Sequence, residues 1–187
     1  MSSFRILGAV GAVLALAVLS SQADAATRFG AKLSKDTPGT GRNNGCKGKK
    51  NCTWIMMEAR GAPGRIFAPK NGQLGKIRII ACDPGKFTLQ LARTKKQGEV
   101  VRNGPKISYA GSGNKCNKVE TFKLDPPVPV NKGDQLAVRE ALPALLYCSG
   151  DGSILQFVPP LKPNEGFRKA TEDEGACQLL IEAEYID

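Results

Sequence analysis

Three groups of side chains in this sequence have the types and spacing to do chemistry. Lys47, Lys49 and Lys50 crowd into the five residues between Cys46 and Cys52, and Lys95 and Lys96 follow an alternating segment, with Arg42 and Lys70 as further cations. Such clusters attract polyanions, because each anionic group they neutralise releases counterions into bulk solvent. Tyr109 stands shortly before Gly111-Ser112-Gly113-Asn114, a run of small residues that would leave its ring free to lie against a sugar face. Glu172-Asp173-Glu174-Gly175, together with Asp151 in Ser149-Gly150-Asp151-Gly152, offers carboxylates that could ligate calcium or act as acid and base on a glycosidic bond. Neither run has the ligand spacing of a calcium loop and no spacing selects a catalytic pair, so both are read as surface turns.

The sequence contains no histidine. That removes the Ser-His-Asp and Cys-His arrangements, the histidine-dependent metal triads, and the side chain whose pKa lies closest to neutrality. No catalytic residue, metal or cofactor is expected. The six cysteines, Cys46, Cys52, Cys82, Cys116, Cys148 and Cys177, form an even set without the C-x-x-C pairs of a zinc site, and so read as disulfides formed in an oxidising compartment. Cys46 and Cys52 need only a short reversal to meet and are expected to pair. The other four are paired in an order that spacing leaves open, and the bridge from Cys46 is expected to lie outside the main core.

The elements that must position these groups begin after an export leader. Arg5 gives a charged start, Ile6 to Leu19 is almost wholly apolar, and Ala23-Asp24-Ala25 supplies the small residues of a cleavage site, so residues 1–25 are read as a signal peptide. The apolar run is shorter than the ~20 residues that span a bilayer, and no later stretch is apolar enough to do so. Residues 26–51, rich in Gly, Lys, Ser, Thr and Asn, are expected to form an extended or flexible arm, and residues 52–187 the packed domain. The Asn51-Cys52-Thr53 sequon is read as chance.

Within the domain, short apolar-alternating stretches separated by Gly, Pro, Asn and Asp read as strands. Phe87, Leu89 and Leu91 share one face and Lys86, Thr88 and Gln90 the other; Ile77 and Ile79 alternate with Lys76 and Arg78 in the same way. The expected strands are 53–58, 75–81, 86–93, 99–102, 106–110, 118–124, 135–140, 145–148, 154–158 and 178–185, with Asn103-Gly104-Pro105 and Ser149–Gly152 among the turns. No sustained helical period occurs. The expected fold is therefore all-β, a single disulfide-bonded β-sandwich of jelly-roll type. Residues 26–118 carry 20 Lys or Arg against four acids and residues 119–187 six against 12, net +16 and −6, but sequential halves of a sandwich interleave in space.

The segments Gly75–Ile79, Phe87–Arg93, Val119–Phe122, Val130–Ala137 and Leu179–Ala183 resemble a group of uncharacterised exported proteins of soil actinobacteria. The resemblance extends over about residues 29–185. It implies a jelly-roll-like sandwich and carries no activity. The functional expectation is a secreted or envelope-associated, non-catalytic binding module whose ligand is a polysaccharide or anionic cell-wall polymer. The candidate ligand-binding residues are Tyr109, Lys47, Lys49, Lys50, Lys95 and Lys96. Nucleic acid is not an expected partner, because stacking aromatics between the charges are scarce. The alternatives are a carboxylate-dependent glycan-active enzyme and a structural or assembly protein without a small ligand.

Overall fold

The computed structural model describes residues 27–33, 46, 51–59, 65–95, 97–113, 116–140 and 144–186, the side chains of 149–151 excepted. Ten strands account for most of them: β1 (Arg28–Gly30), β2 (Cys52–Ala59), β3 (Gly72–Ile80), β4 (Gly85–Thr94), β5 (Gly98–Tyr109), β6 (Val119–Val130), β7 (Gln135–Glu140), β8 (Leu146–Phe157), β9 (Glu172–Leu179) and β10 (Ile181–Tyr185). No α-helix occurs among the described residues. The strands form two antiparallel sheets, sheet A in the order β1-β10-β3-β6 and sheet B in the order β5-β4-β7-β2-β8-β9.

The main core lies between the sheets, where Ile77, Ile79, Ala183 and Tyr185 of sheet A meet Trp54, Phe87, Leu89 and Val138 of sheet B. Alternation explains which residues reach it. On β3, Ile77 and Ile79 point inward while Lys76 and Arg78 remain at the outer surface. On β2 the pattern fails, since Cys52 to Met56 are all buried. Sheet B has a second apolar cluster on its outer face, built from Ile55, Ala92, Val100, Ala137, Leu155, Phe157 and Leu161. A strap running from Val158 to Thr171 covers that cluster. Its backbone is tied down by Gly98–Arg168 and Val100–Pro163 bridges and by the Thr171 N–H donating to the Gln156 carbonyl. A strand buried on both faces reads as a continuous apolar run.

Three cross-links close the fold: Cys46–Cys52, Cys82–Cys116 and Cys148–Cys177. The last joins directly opposed residues of β8 and β9. The first is not peripheral. Cys52 is fully buried and Cys46 is 3% exposed, both within the main core cluster. The segment 26–51 likewise contributes β1, whose Phe29 is buried against Tyr185 with ring centroids 6.0 Å apart. The packed domain therefore starts well before Cys52.

Several expected turns are strand. Asn103-Gly104-Pro105 is a register shift inside the single strand β5, and Ser149–Gly152 lies at a register shift inside β8. Glu172-Asp173-Glu174-Gly175 belongs to β9, and the segment expected as one strand at 178–185 divides between β9 and β10. In the first three cases glycine or proline sits at a bulge or on an edge strand, where a lost ladder bond costs little; the 178–185 segment divides instead at Leu180, between β9 and β10.

Replacing both Cys46 and Cys52 by Ser should lower the free energy of unfolding by about 2–3 kcal/mol, the scale for releasing so short a ring, with any cost of burying two hydroxyls added to it. Urea unfolding of the double variant beside the parent measures this, and an unchanged midpoint would place the bridge outside the cooperative core.

Candidate functional site

The strap covers only part of the outer face of sheet B. At the uncovered end, register places Lys106 of β5 opposite Thr88 of β4, Thr88 opposite Arg139 of β7, and Arg139 opposite Thr53 of β2. Lys86 and Ser108 face each other two residues further along the same strands. Lys86, Lys106 and Ser108 are exposed, Thr88 and Arg139 half-buried, and Thr53 buried. Neighbouring strands lie ~5 Å apart, so the backbones at Lys106 and Arg139 stand ~10 Å apart with a threonine between them. Among the described residues none of the three cations has a carboxylate within ion-pair distance.

The floor beside this row is fixed by buried hydrogen bonds. The Thr53 hydroxyl donates to Gln90 Oε1 (2.9 Å) and accepts from the Leu161 N–H (3.0 Å). Gln90 Nε2 in turn donates to Asn103 Oδ1 (2.9 Å) and to the Leu161 carbonyl (3.3 Å). The strap is thus pinned next to the cations without covering them. Cationic groups and hydroxyls side by side on one face of a sheet can hold an anionic group through charge-assisted hydrogen bonds.

The outer face of sheet A uses its cations differently. Glu184 of β10 accepts from Arg28 (2.8 Å) and Lys76 (2.7 Å), and Glu182 from Arg65 and Arg78. The hydrogen bond from Lys76, reinforced by Arg28, holds the Glu184 carboxyl below the usual range despite opposing desolvation. Residues two apart on a strand lie ~7 Å apart, within the range of glycosidase carboxyl pairs. Glu184 is held in its ionised form, however, and Glu182 has both oxygens committed to arginines, so this pair does not have the division into proton donor and base that glycoside hydrolysis uses.

Tyr109, expected at the surface, is 5% exposed and faces the core with Ile107 and Phe87. Its hydroxyl donates to Glu140 Oε1 at 2.6 Å. Gly85, its register partner, makes room for it, because a Cβ there would collide with the phenol. Glu140 is 6% exposed; its Oε2 meets no donor among the described residues, and the Cys46 and Cys52 sulfurs lie 3.1 and 3.7 Å from its backbone carbonyl. Burial pushes the Glu140 carboxyl up to about 8, against the pull of the Tyr109 hydrogen bond. Burial, then the Glu140 charge and hydrogen bond, raise Tyr109 above the ordinary phenol range. Such a pair could exchange a proton, but it is sealed between the sheets.

Of the other sequence-predicted residues, Lys47, Lys49, Lys50 and Lys96 lie outside the described residues. Lys95 is exposed at the β4–β5 hairpin, at the far end of β4 from Lys86 and ~30 Å along the strand from it. Cys46, which precedes the lysine loop, sits beside Glu140, whose strand β7 ends toward Lys86. Lys95 is therefore at the other end of the sheet from that cysteine. The row Lys86, Lys106 and Arg139 was not singled out by clustering in sequence, because strand pairing alone assembles it; the strand alternation around Thr88 was its one visible sign. Cys148, Cys177 and Glu174 come together, but both sulfurs are in the disulfide and so are not thiolate ligands.

No protein-family model, curated protein or solved structure matches the chain. The site is accordingly defined by its own geometry.

Glu140 gives the pH dependence a definite sign. The folded protein holds its proton up to about pH 8, whereas an unfolded carboxyl releases it near 4.5, so stability falls as pH rises through that window and levels off above it. The slope should approach about 1.4 kcal/mol per pH unit at its steepest. Urea unfolding between pH 5 and 9 should show this fall in the parent and a nearly flat profile in Glu140→Gln; an equal fall in both would assign it to other groups.

Proposed function

We propose that the protein is an exported, non-catalytic binding module of jelly-roll type that holds an anionic cell-wall polymer or acidic polysaccharide on the row formed by Lys86, Lys106 and Arg139. The observation that carries the reading is the alignment of these cations across three strands, without carboxylate partners among the described residues, beside the hydroxyls of Thr88 and Ser108. A protein that needed its cations only for solubility has no reason to aim them from three paired strands at one uncovered end of a sheet.

The jelly-roll assignment is supported by nested pairing. β1 pairs with β10, β2 with β7, β3 with β6 and β4 with β5, the arrangement of one long antiparallel ribbon rolled onto itself. The β8–β9 hairpin is then an addition on the β2 edge of sheet B. Export is supported by the leader-like sequence of residues 1–25 and by three disulfides, which are compatible with an oxidising location. The absence of histidine and the burial of Glu140 support a role in binding rather than catalysis.

Binding to polygalacturonate, followed by calorimetry, should weaken linearly in log Kd against log salt with a slope of about 2 to 3, as expected for three cations on a polyanion. The triple variant Lys86→Glu, Lys106→Glu, Arg139→Glu should abolish binding, while each single reversal alters the unfolding free energy by less than about 0.5 kcal/mol. Retention of affinity by the triple variant would overturn the reading.

A further inference from the structure

A cleft of about 330 Å³ opens where β5, the edge strand of sheet B, approaches β6, the edge strand of sheet A. Its apolar walls are the pyrrolidine rings of Pro105, Pro126 and Pro127, and Arg102, Asn103 and Asp125 supply its polar groups. Prolines on edge strands are explained by protection, since they remove the donors that would recruit another strand. That explanation does not reach the three polar residues. Arg102, Asn103 and Asp125 are all exposed, and among the described residues Arg102 and Asp125 form no ion pair with each other or with anything else.

Asn103 is positioned in advance. Its Oδ1 is occupied by Gln90 Nε2, which is itself held through Thr53 and Leu161, and this leaves the Asn103 amide N–H groups as oriented donors. The cleft therefore presents a fixed donor, a cation and an anionic acceptor around apolar C–H walls. A sugar ring has that complement: hydrophobic ring faces, hydroxyls that both donate and accept, and in an acidic sugar a carboxylate for the guanidinium. Asp125 discriminates further. It accepts from hydroxyls, which a sugar ring carries and a bare phosphate chain lacks. Lys106 follows Pro105 directly on β5, so the cleft and the cationic row adjoin along one strand.

We infer that the cleft between β5 and β6 is a sugar subsite, and that the polymer held by Lys86, Lys106 and Arg139 is an acidic polysaccharide with one uronate-type ring seated against Pro105, Pro126 and Pro127, its carboxylate on Arg102 and its hydroxyls on Asn103 and Asp125. The inference rests on the binding reading above and specifies its ligand class.

The test compares oligogalacturonate with linear polyphosphate of matched charge, measured by calorimetry on the full chain at low salt. Oligogalacturonate should bind about tenfold more tightly, the scale of one or two well-made hydrogen bonds. Arg102→Ala and Asn103→Ala should each remove that preference while leaving polyphosphate binding unchanged, and Lys106→Glu should weaken both polymers. Because Asn103→Ala also deprives Gln90 of an acceptor, the parent's Asn103 side-chain amide resonances provide a second readout. They should shift with oligogalacturonate and stay in place with polyphosphate. Equal affinities with unmoved Asn103 resonances would overturn the sugar subsite while the cationic row stands. Absence of binding to either polymer would overturn both.

Discussion

Sheet B is buried on both faces over much of its area, and the strap from Val158 to Thr171 that covers its outer side determines which of its residues can meet a ligand. Leu161 is the pin: fully buried, it packs against Ile55 and Phe157 and directs its N–H and carbonyl to Thr53 and Gln90. Without these bonds the buried Leu161 N–H and carbonyl would lie unsatisfied against an apolar sheet, at a cost of about 1–3 kcal/mol each. Satisfying them ties the strap in one place. The outer face is thereby divided into a covered apolar half and an open cationic half, and the same polar chain continues through Gln90 to Asn103 at the rim of the cleft.

The excess of basic residues is put to two physical uses. On sheet A, Arg28, Arg65, Lys76 and Arg78 surround Glu182 and Glu184, so four cations share two carboxylates and hold β10 to its neighbours through side chains as well as backbone. Lys76 also stands opposite Lys123 of β6, a like-charge pairing made tolerable by the Glu184 carboxylate on its other side. On sheet B the row from Lys106 to Arg139 has no such carboxylate among the described residues, and its field points outward. Net charge alone cannot separate these cases. Pairing does, and pairing is a property of the register.

This difference accounts for what the sequence could and could not convey. The all-β class, most strands and the Cys46–Cys52 bridge were legible because they depend on local alternation, turn residues and short loop closure. Ile77 and Ile79 against Lys76 and Arg78 is such a signal. The two-sided burial of β2 was visible as the run Cys52 to Met56, but the covering strap, with its scattered prolines and glycines, carries no periodicity to announce it. Tyr109 was misplaced because the glycine-rich run after it outweighed the alternation of Lys106, Ile107, Ser108 and Tyr109, which already puts it inside with Ile107. Asn103-Gly104-Pro105 shows the converse error: turn-forming residues also serve bulges in a continuing strand, and only the partner strand distinguishes them. The candidate row and cleft depend on which strands become neighbours, and that is long-range information.

The interior has its own polar chemistry, kept apart from the surface. Glu140 ends β7 opposite Cys52, and the same strand, one residue earlier, sends Arg139 to the open face. Alternation therefore places a cation outside and a carboxyl inside at successive positions. Exposed, Glu140 would sit near Lys86, Lys106 and Arg139 and cancel part of their field. Turned inward, it is held near neutrality in charge by burial and bonded to Tyr109 instead. The orientation of one strand thus does two things at once: it removes an acid from the cationic face, and it gives the buried Tyr109 hydroxyl an acceptor at the end of the core. The uncompensated charge on the open face follows from the same alternation that buries the acid.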